Sequence, residues 1–337
     1  MRFQRGQSDM TTLAVVTGGS GYIGSNLVRN LLCHGRSVRI LDLAAPPRDL
    51  APEVEWVSGS ILNQPLVTKT LKGAHELYHL AANPKLWTLK KGDFDKINHQ
   101  GAREVLNAAC GLKIPKILHC STESILTLSR QKNPIRENQL VSMADVIGPY
   151  CRSKFRAERH AFYLASQGHP VFIVNPTLPV GPGDLQLSPP SRLIVDFCRG
   201  KRREYLDASL NFMDVRDMAM AMRLTLDRGV PGRRYILGAH NTEIRGLFQL
   251  LSEITGVPIP KWKVPYSLAL SVACISEIVA NILTKTEPLA SITGVLLTRR
   301  TMHFDSSNTF QELGLIPRPL KETLKDAVTW WRNEGIL

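Results

Sequence analysis

Tyr150 and Lys154, in the run PYCRSK, stand four residues apart, so a helix through them projects both side chains to one face. An ammonium held beside a phenol favours the phenolate and draws the tyrosine pKa toward working pH, making the phenol usable as an acid or base. The spacing Y-x-x-x-K also occurs by chance on solvated helix faces, so its meaning depends on what precedes it. Far upstream lies TTLAVVTGGSGYIGSNLV, from Thr11. Gly19, Gly21 and Gly24 satisfy G-x-G-x-x-G, while Gly18, Gly21 and Gly24 equally satisfy G-x-x-G-x-x-G. Glycine permits a tight turn and lets backbone N–H groups approach a pyrophosphate, whose charge is favoured at the following helix N-terminus. A glycine turn also serves plain packing. Here it follows a strand, opens a helix and precedes Asp42 at the end of a second strand, the context that a dinucleotide requires.

Asp42 bears on which dinucleotide binds. A carboxylate there accepts both ribose hydroxyls and repels a 2′-phosphate, which points to NAD. Arg39 and Arg48 are close enough in sequence to keep NADP as the alternative.

The elements that must position these residues follow from hydropathy patterning. Strands are expected at Leu13 to Val16, Ser37 to Leu41, Val54 to Val57, Leu77 to Leu80, Ile117 to Cys120 and Val171 to Val174. Helical spacing recurs from Asn26 to Leu32, Leu66 to Leu71, Gly101 to Ala109 and Tyr150 to Gln167. Alternation of this kind predicts an α/β fold, a Rossmann-type doubly wound parallel sheet with a smaller C-terminal substrate-binding lobe. The Pro- and Gly-rich stretch LPVGPGDLQLSPPS marks where the chain leaves the regular sheet. The expected division is a disordered leader over residues 1–10 and a dinucleotide-binding domain over 11–180, to which 212–238 returns. Residues 181–211 and 239–337 form the lobe.

Lys and Arg number 42 against 29 Asp and Glu, a net charge of +13, but they are scattered and no nucleic-acid-reading motif accompanies them. The partner expected is a small-molecule substrate, with no nucleic acid. Six cysteines show neither metal spacing nor a compact disulfide pattern, so no metal is expected and a cytoplasmic setting is the simplest reading. SLALSVACISEIVANIL, from Ser267, is the most apolar long stretch, yet carries Glu277 and Asn281. It reads as a buried or amphipathic helix rather than a span, and flanking Lys261, Lys263 and Lys285 leave peripheral membrane contact open.

With these motifs in order, the sequence resembles the extended short-chain dehydrogenase/reductase superfamily from Leu13 to Trp331. HLAAN at His79 to Asn83, Asn98 in INHQG, HCSTES at His119 to Ser124 and PYCRSK all fall in the superfamily's order. IGPYCRSKFRAE, IVNPTLPVGPGD, RLIVDFCRG and RRYILG look most like the hopanoid-associated sugar epimerase group, the dihydroflavonol-4-reductases and the 3β-hydroxysteroid dehydrogenases. The resemblance implies Tyr150 as catalytic acid/base, Lys154 as its electrostatic partner and nicotinamide-ribose ligand, and Thr122 as the hydroxyl that orients the substrate oxygen. Ser121 takes that role if the register slips by one. Asn98 is implied to be structural. The implied cofactor-binding set is Gly18, Gly21, Tyr22, Ile23, Gly24, Asp42, Leu80, Ala81, Ala82, Tyr150, Lys154, Asn175, Pro176 and Thr177. A homodimer is implied by analogy.

The implied chemistry is hydride transfer between a carbinol carbon and nicotinamide, with proton exchange through Tyr150. Two outcomes share that step: a dehydrogenase or reductase that releases its cofactor, and a sugar or sugar-nucleotide epimerase that keeps it. Many UDP-sugar epimerases place a phosphate-binding arginine where LNFMDVRDMA has Leu210, which favours the first, although Arg192 or Arg216 could compensate. Dehydratases follow their threonine with two acids, whereas Glu123 and Ser124 follow Thr122. Ser60 stands where relatives usually place an Asp near the adenine.

Overall fold

A computed structural model describes residues 12–128, 133–300 and 302–337. The expected leader lies outside these residues. The chain begins with β1 (Leu13–Thr17), α1 (Tyr22–Cys33), β2 (Ser37–Asp42), β3 (Glu55–Ser58), α2 (Gln64–Leu71), β4 (Glu76–His79), α3 (Gly92–Phe94), α4 (Ala102–Gly111) and β5 (Lys116–Cys120). It continues through α5 (Gly148–Ser166), β6 (Val171–Pro176), β7 (Leu178–Val180), α6 (Pro189–Cys198), β8 (Glu204–Tyr205), β9 (Ser209–Asp214), α7 (Val215–Arg228) and β10 (Arg234–Leu237). β11 (His240–Glu243), α8 (Ile244–Thr255), β12 (Trp262–Lys263), α9 (Tyr266–Val279), α10 (Ile292–Thr298), α11 (Ser307–Leu313) and α12 (Leu320–Asn333) complete it.

Seven strands, all parallel, form one sheet in the order β10-β6-β5-β4-β1-β2-β3. The order reverses between β1 and β4, and the crevice outside the strand ends at such a point is where open α/β sheets bind ligands. Parallel strands need helical crossovers, which cover both faces and demand continuous apolar strands. Accordingly Ala14, Val15 and Val16 are all fully buried. Leu27, Leu31, Met218 and Met222 of α1 and α7 pack on one face, Val67, Val105, Leu106 and Ala161 of α2, α4 and α5 on the other.

β7 leaves this sheet and joins a three-stranded one with β9 and β11. Its apolar layer combines Phe197, Phe248, Leu324 and Trp331 from α6, α8 and α12, with the Phe197 and Phe248 rings stacked at 4.8 Å. Helix boundaries differ from the sequence expectation in one instructive place. α1 begins at Tyr22 rather than Asn26 because the glycine turn feeds directly into the helix, leaving no polar spacer. A π-type turn, Asp95–Gly101, precedes α4; such turns favour functional sites.

Candidate active site

β1 ends at Thr17 and the chain turns at Gly18 with φ +75°. A Cβ there would meet the Ala81 nitrogen at 2.7 Å, and one at Gly24 would meet the Gly18 carbonyl at 2.0 Å, so both positions exclude side chains on backbone grounds. α1 then starts with Gly21 as N-cap, no side-chain cap and no acid in its first turn. The N–H groups around Tyr22 and Ile23 and the positive end of the dipole are thus left for an anion. Leu80 donates its N–H to the Thr17 carbonyl at 3.0 Å and Ala81 to the Thr17 hydroxyl at 3.3 Å, which runs Leu80, Ala81 and Ala82 beside the turn.

Asp42 stands across this turn at the end of β2. Its carboxylate accepts the N–H groups of Ser20 at 3.0 Å and Ala44 at 3.1 Å, fixing its orientation while retaining lone pairs for a ribose. Arg39 is committed elsewhere, to Glu55 at 2.7 Å and the carbonyls of Thr70 and Lys72. Arg48 is exposed and has no such tie among the described residues. The glycine cradle and the aspartate therefore fit a dinucleotide with an unmodified ribose.

The second cluster forms where β5 meets α5. Thr122 adopts an extended conformation and caps a short 3-10 turn, Glu123–Ile125. Its hydroxyl donates to Glu123 Oε2 at 2.8 Å and lies 3.0 Å from Ser124 Oγ, on the side of Tyr150. Lys154, one helical turn beyond Tyr150, is buried and donates to the Cys120 carbonyl at 2.6 Å. Thr122, Tyr150 and Lys154 are thus brought together. The neighbouring Ser121 hydroxyl is buried with no hydrogen-bond partner among the described residues.

The electrostatics differ from the sequence expectation. Burial pushes the Tyr150 phenol well above its ordinary value, Cys151 and Glu123 push the same way, and the Thr122 hydrogen bond draws it down. Lys154 does not reverse this, because its ammonium is turned to the Cys120 carbonyl and burial pulls its own pKa down. Tyr150 is accordingly neutral here. Glu123, which the sequence offered only as half of an acid pair, is pushed up to about 7 by burial, against its bond to Thr122.

A polar frame holds the cluster. Asn175, at the end of β6, donates to the Thr122 carbonyl at 2.9 Å and to Glu158 at 2.7 Å, and Glu158 pairs with Arg234 at 2.6 Å. Pro176 ends the same strand, and Thr177 bonds to the Leu237 carbonyl at 3.1 Å. Asn98 accepts the Asn83 N–H at 2.7 Å and donates to the Ser153 hydroxyl at 3.2 Å, tying the HLAAN segment to α5. Behind Lys154, His79 and His119 stack at 5.7 Å, and burial pulls both imidazoles down, His79 to about 3. Glu158 and Arg234 carried no spacing signal and were not foreseen. Phe94 meets the Tyr150 ring edge-on at 6.1 Å, within reach of a narrow cleft lined by Trp87, Pro149, Glu277 and Thr293. Among the described residues, no group of three His, Cys, Asp or Glu side chains is placed to share a metal ion.

These features define a dinucleotide-dependent oxidoreductase site on a doubly wound sheet. The chain matches the model of the NAD dependent epimerase/dehydratase family over residues 14–238 and belongs to that family. It is an enzyme of the extended short-chain dehydrogenase/reductase type, and its cofactor is NAD. It is 35% identical over 95% of its length to a putative dihydroflavonol 4-reductase of Synechocystis sp., covering 94% of that protein. It is 30% identical to sterol demethylase protein B of Methylococcus capsulatus, over 97% of this chain and 100% of that one. The crystal structure of gox2253 superposes with a TM-score of 0.84 at 33% identity, covering 97% of this chain and all of the other. A UDP-glucose 4-epimerase of Thermotoga maritima shares the fold, with a TM-score of 0.78 at 21% identity over 96% of this chain and 100% of that one.

Proposed function

We propose that this enzyme interconverts a ketone and a secondary alcohol on a substrate that carries no nucleotide, and releases its cofactor after each turnover. NAD, when bound, supplies the two-electron partner of the substrate carbon. Gly18, Gly21, Tyr22, Ile23 and Gly24 would hold its pyrophosphate, Asp42 its adenine-side ribose, and Leu80 to Ala82, Lys154 and Asn175 to Thr177 its nicotinamide half. Tyr150 gives its proton to the carbonyl oxygen during reduction and recovers one during oxidation. Thr122 orients that oxygen, and Asn175 fixes Thr122 through its carbonyl. Lys154 supplies the positive charge that a phenolate needs once the proton has gone.

The observation that carries this reading is Leu210. It lies half-buried between two apolar clusters, where nucleotide-binding relatives place a cation. Arg216, which could have compensated, is committed to Asp214 at 2.6 Å and Asp326 at 2.7 Å, and Arg192 is exposed on α6. The names of the two relatives above, a reductase and a sterol demethylase protein, support an apolar substrate. Free thiols at all six cysteines support a reducing, cytoplasmic setting.

The test is to dialyse the purified protein, denature it, and quantify the nicotinamide nucleotide released. Far less than one equivalent is expected, with NAD binding reversibly to the dialysed protein. Near-stoichiometric NAD would establish the cofactor-retaining epimerase instead.

A further inference from the structure

α9 continues through a π-type turn to give an apolar helix from Tyr266 to Thr284. One side is fastened to the protein. Ala273, Glu277 and Ala280 are buried, Glu277 accepts the Ile292 N–H at 2.7 Å, Ser276 donates to the Ala290 carbonyl at 2.8 Å, and Asn281 accepts the Trp87 indole at 3.3 Å. The opposite side is a stripe of Leu268, Val272, Ile275, Val279 and Ile282, widened by Ile278 and Leu283, with each residue 37 to 74% exposed. A contiguous apolar stripe of this kind marks a docking surface. The sequence alternative of a buried helix is therefore corrected, since the protein interior takes only the narrow polar-anchored side.

Charge decides what the stripe faces. Lys261, Trp262 and Lys263 stand just before the helix, Lys285 ends it, and the Arg299 guanidinium lies 4.7 Å above the Tyr266 ring. Lys91 lines the cleft with Trp87 and Glu277, and Lys85 reaches Glu287 just past the helix. Of the nearby acids, Glu277 is buried, Glu287 pairs with Lys85 at 3.8 Å and Asp207 pairs with Lys263 at 2.5 Å, while Glu204 and Glu243 face the Lys263 end and leave Lys261 and Arg299 as its uncompensated charges. Because Lys261 and Lys285, neither in an ion pair among the described residues, stand at the two helix ends, pairing with a second copy in either direction brings like charges together. Spanning is excluded as well, because Ser276, Glu277 and Asn281 would have to abandon their partners for hydrocarbon.

We propose that α9 docks this enzyme on an anionic lipid surface. The stripe enters the boundary between headgroups and acyl chains, and the flanking lysines, Arg299 and the 74% exposed Trp262 sit at headgroup level. The proposal stands apart from the choice of substrate.

The test is flotation of the full chain with vesicles of phosphatidylcholine alone or rich in phosphatidylglycerol, alongside light scattering without lipid. At least about tenfold more protein is expected to float with the anionic vesicles, high salt reducing the difference. The double variant Ile275→Glu, Ile282→Glu, altered only at exposed positions, is expected to stay in solution with unchanged NAD affinity, which checks its folding. The proposal fails if the parent does not float, if the variant floats equally well, or if the parent is a dimer that the variant splits into monomers.

Discussion

In the proposed mechanism the substrate oxygen competes with Glu123 Oε2 for the one hydroxyl proton of Thr122. Glu123 is raised to about 7 from the ordinary value near 4.3, so it is protonated below pH 7 and ionised above. Ionised, it holds the Thr122 proton; protonated, it can donate to Thr122 and leave that proton for the substrate. Ketone reduction is therefore expected to decline as pH rises through about 7, and Glu123→Gln, neutral throughout, to flatten that limb. Tyr150→Phe should lower turnover by roughly 10²–10⁴-fold at every pH, the range for a lost general acid. Steady-state pH profiles of the three proteins check this. Stability has the matching sign. The folded state binds the proton more tightly, so a cost on the order of 3 kcal/mol develops between about pH 4.3 and 7 and stays above it. Urea unfolding at pH 5 and pH 8 should show the parent losing stability relative to the glutamine variant.

The element that sets the proposed cofactor site is the passage from β1 through the glycine turn into α1. Gly24 sits inside the helix, yet a Cβ there would overlap the Gly18 carbonyl, a backbone atom that cannot swing aside. Gly24→Ala is expected to cost at least about 1–3 kcal/mol, the usual price of overpacking, and to weaken NAD binding at least tenfold. Calorimetric titration with NAD, combined with thermal unfolding, reads both effects. By contrast, a Cβ at Gly21 would come no closer than 3.4 Å to the same carbonyl, an ordinary contact. Gly21→Ala should therefore leave stability nearly unchanged, and the difference between the two variants separates packing from phosphate approach.

Across the whole molecule, the site is completed by parts remote in sequence. Trp331, fully buried in α12, donates its indole N–H to the Asp184 carbonyl at 3.4 Å, and Thr323 of the same helix donates to Asp214 at 2.9 Å. Tyr22, at the start of α1, donates to the Gly181 carbonyl at 2.9 Å, linking the cofactor turn to the lobe segment. Trp331→Ala is expected to destabilise the protein by about 3–5 kcal/mol and to raise KM more than it alters the affinity for NAD, because the cavity lies in the lobe core. Chemical unfolding and KM measurements on the variant check the split. The alternation of apolar runs and turns determined the parallel sheet, and the glycine spacing and Asp42 marked the turn and strand end beside its crevice, because strand and turn chemistry are local. The pair Tyr150 and Lys154 was legible for the same reason, since four residues make one helical turn. Tertiary structure alone decided that Lys154 turns to Cys120, that Glu123 holds Thr122, that Arg39 and Arg216 are committed elsewhere, and that α9 keeps its apolar side outward. Each of these depends on burial or on a partner distant in sequence, and neither is encoded in the spacing of neighbouring residues.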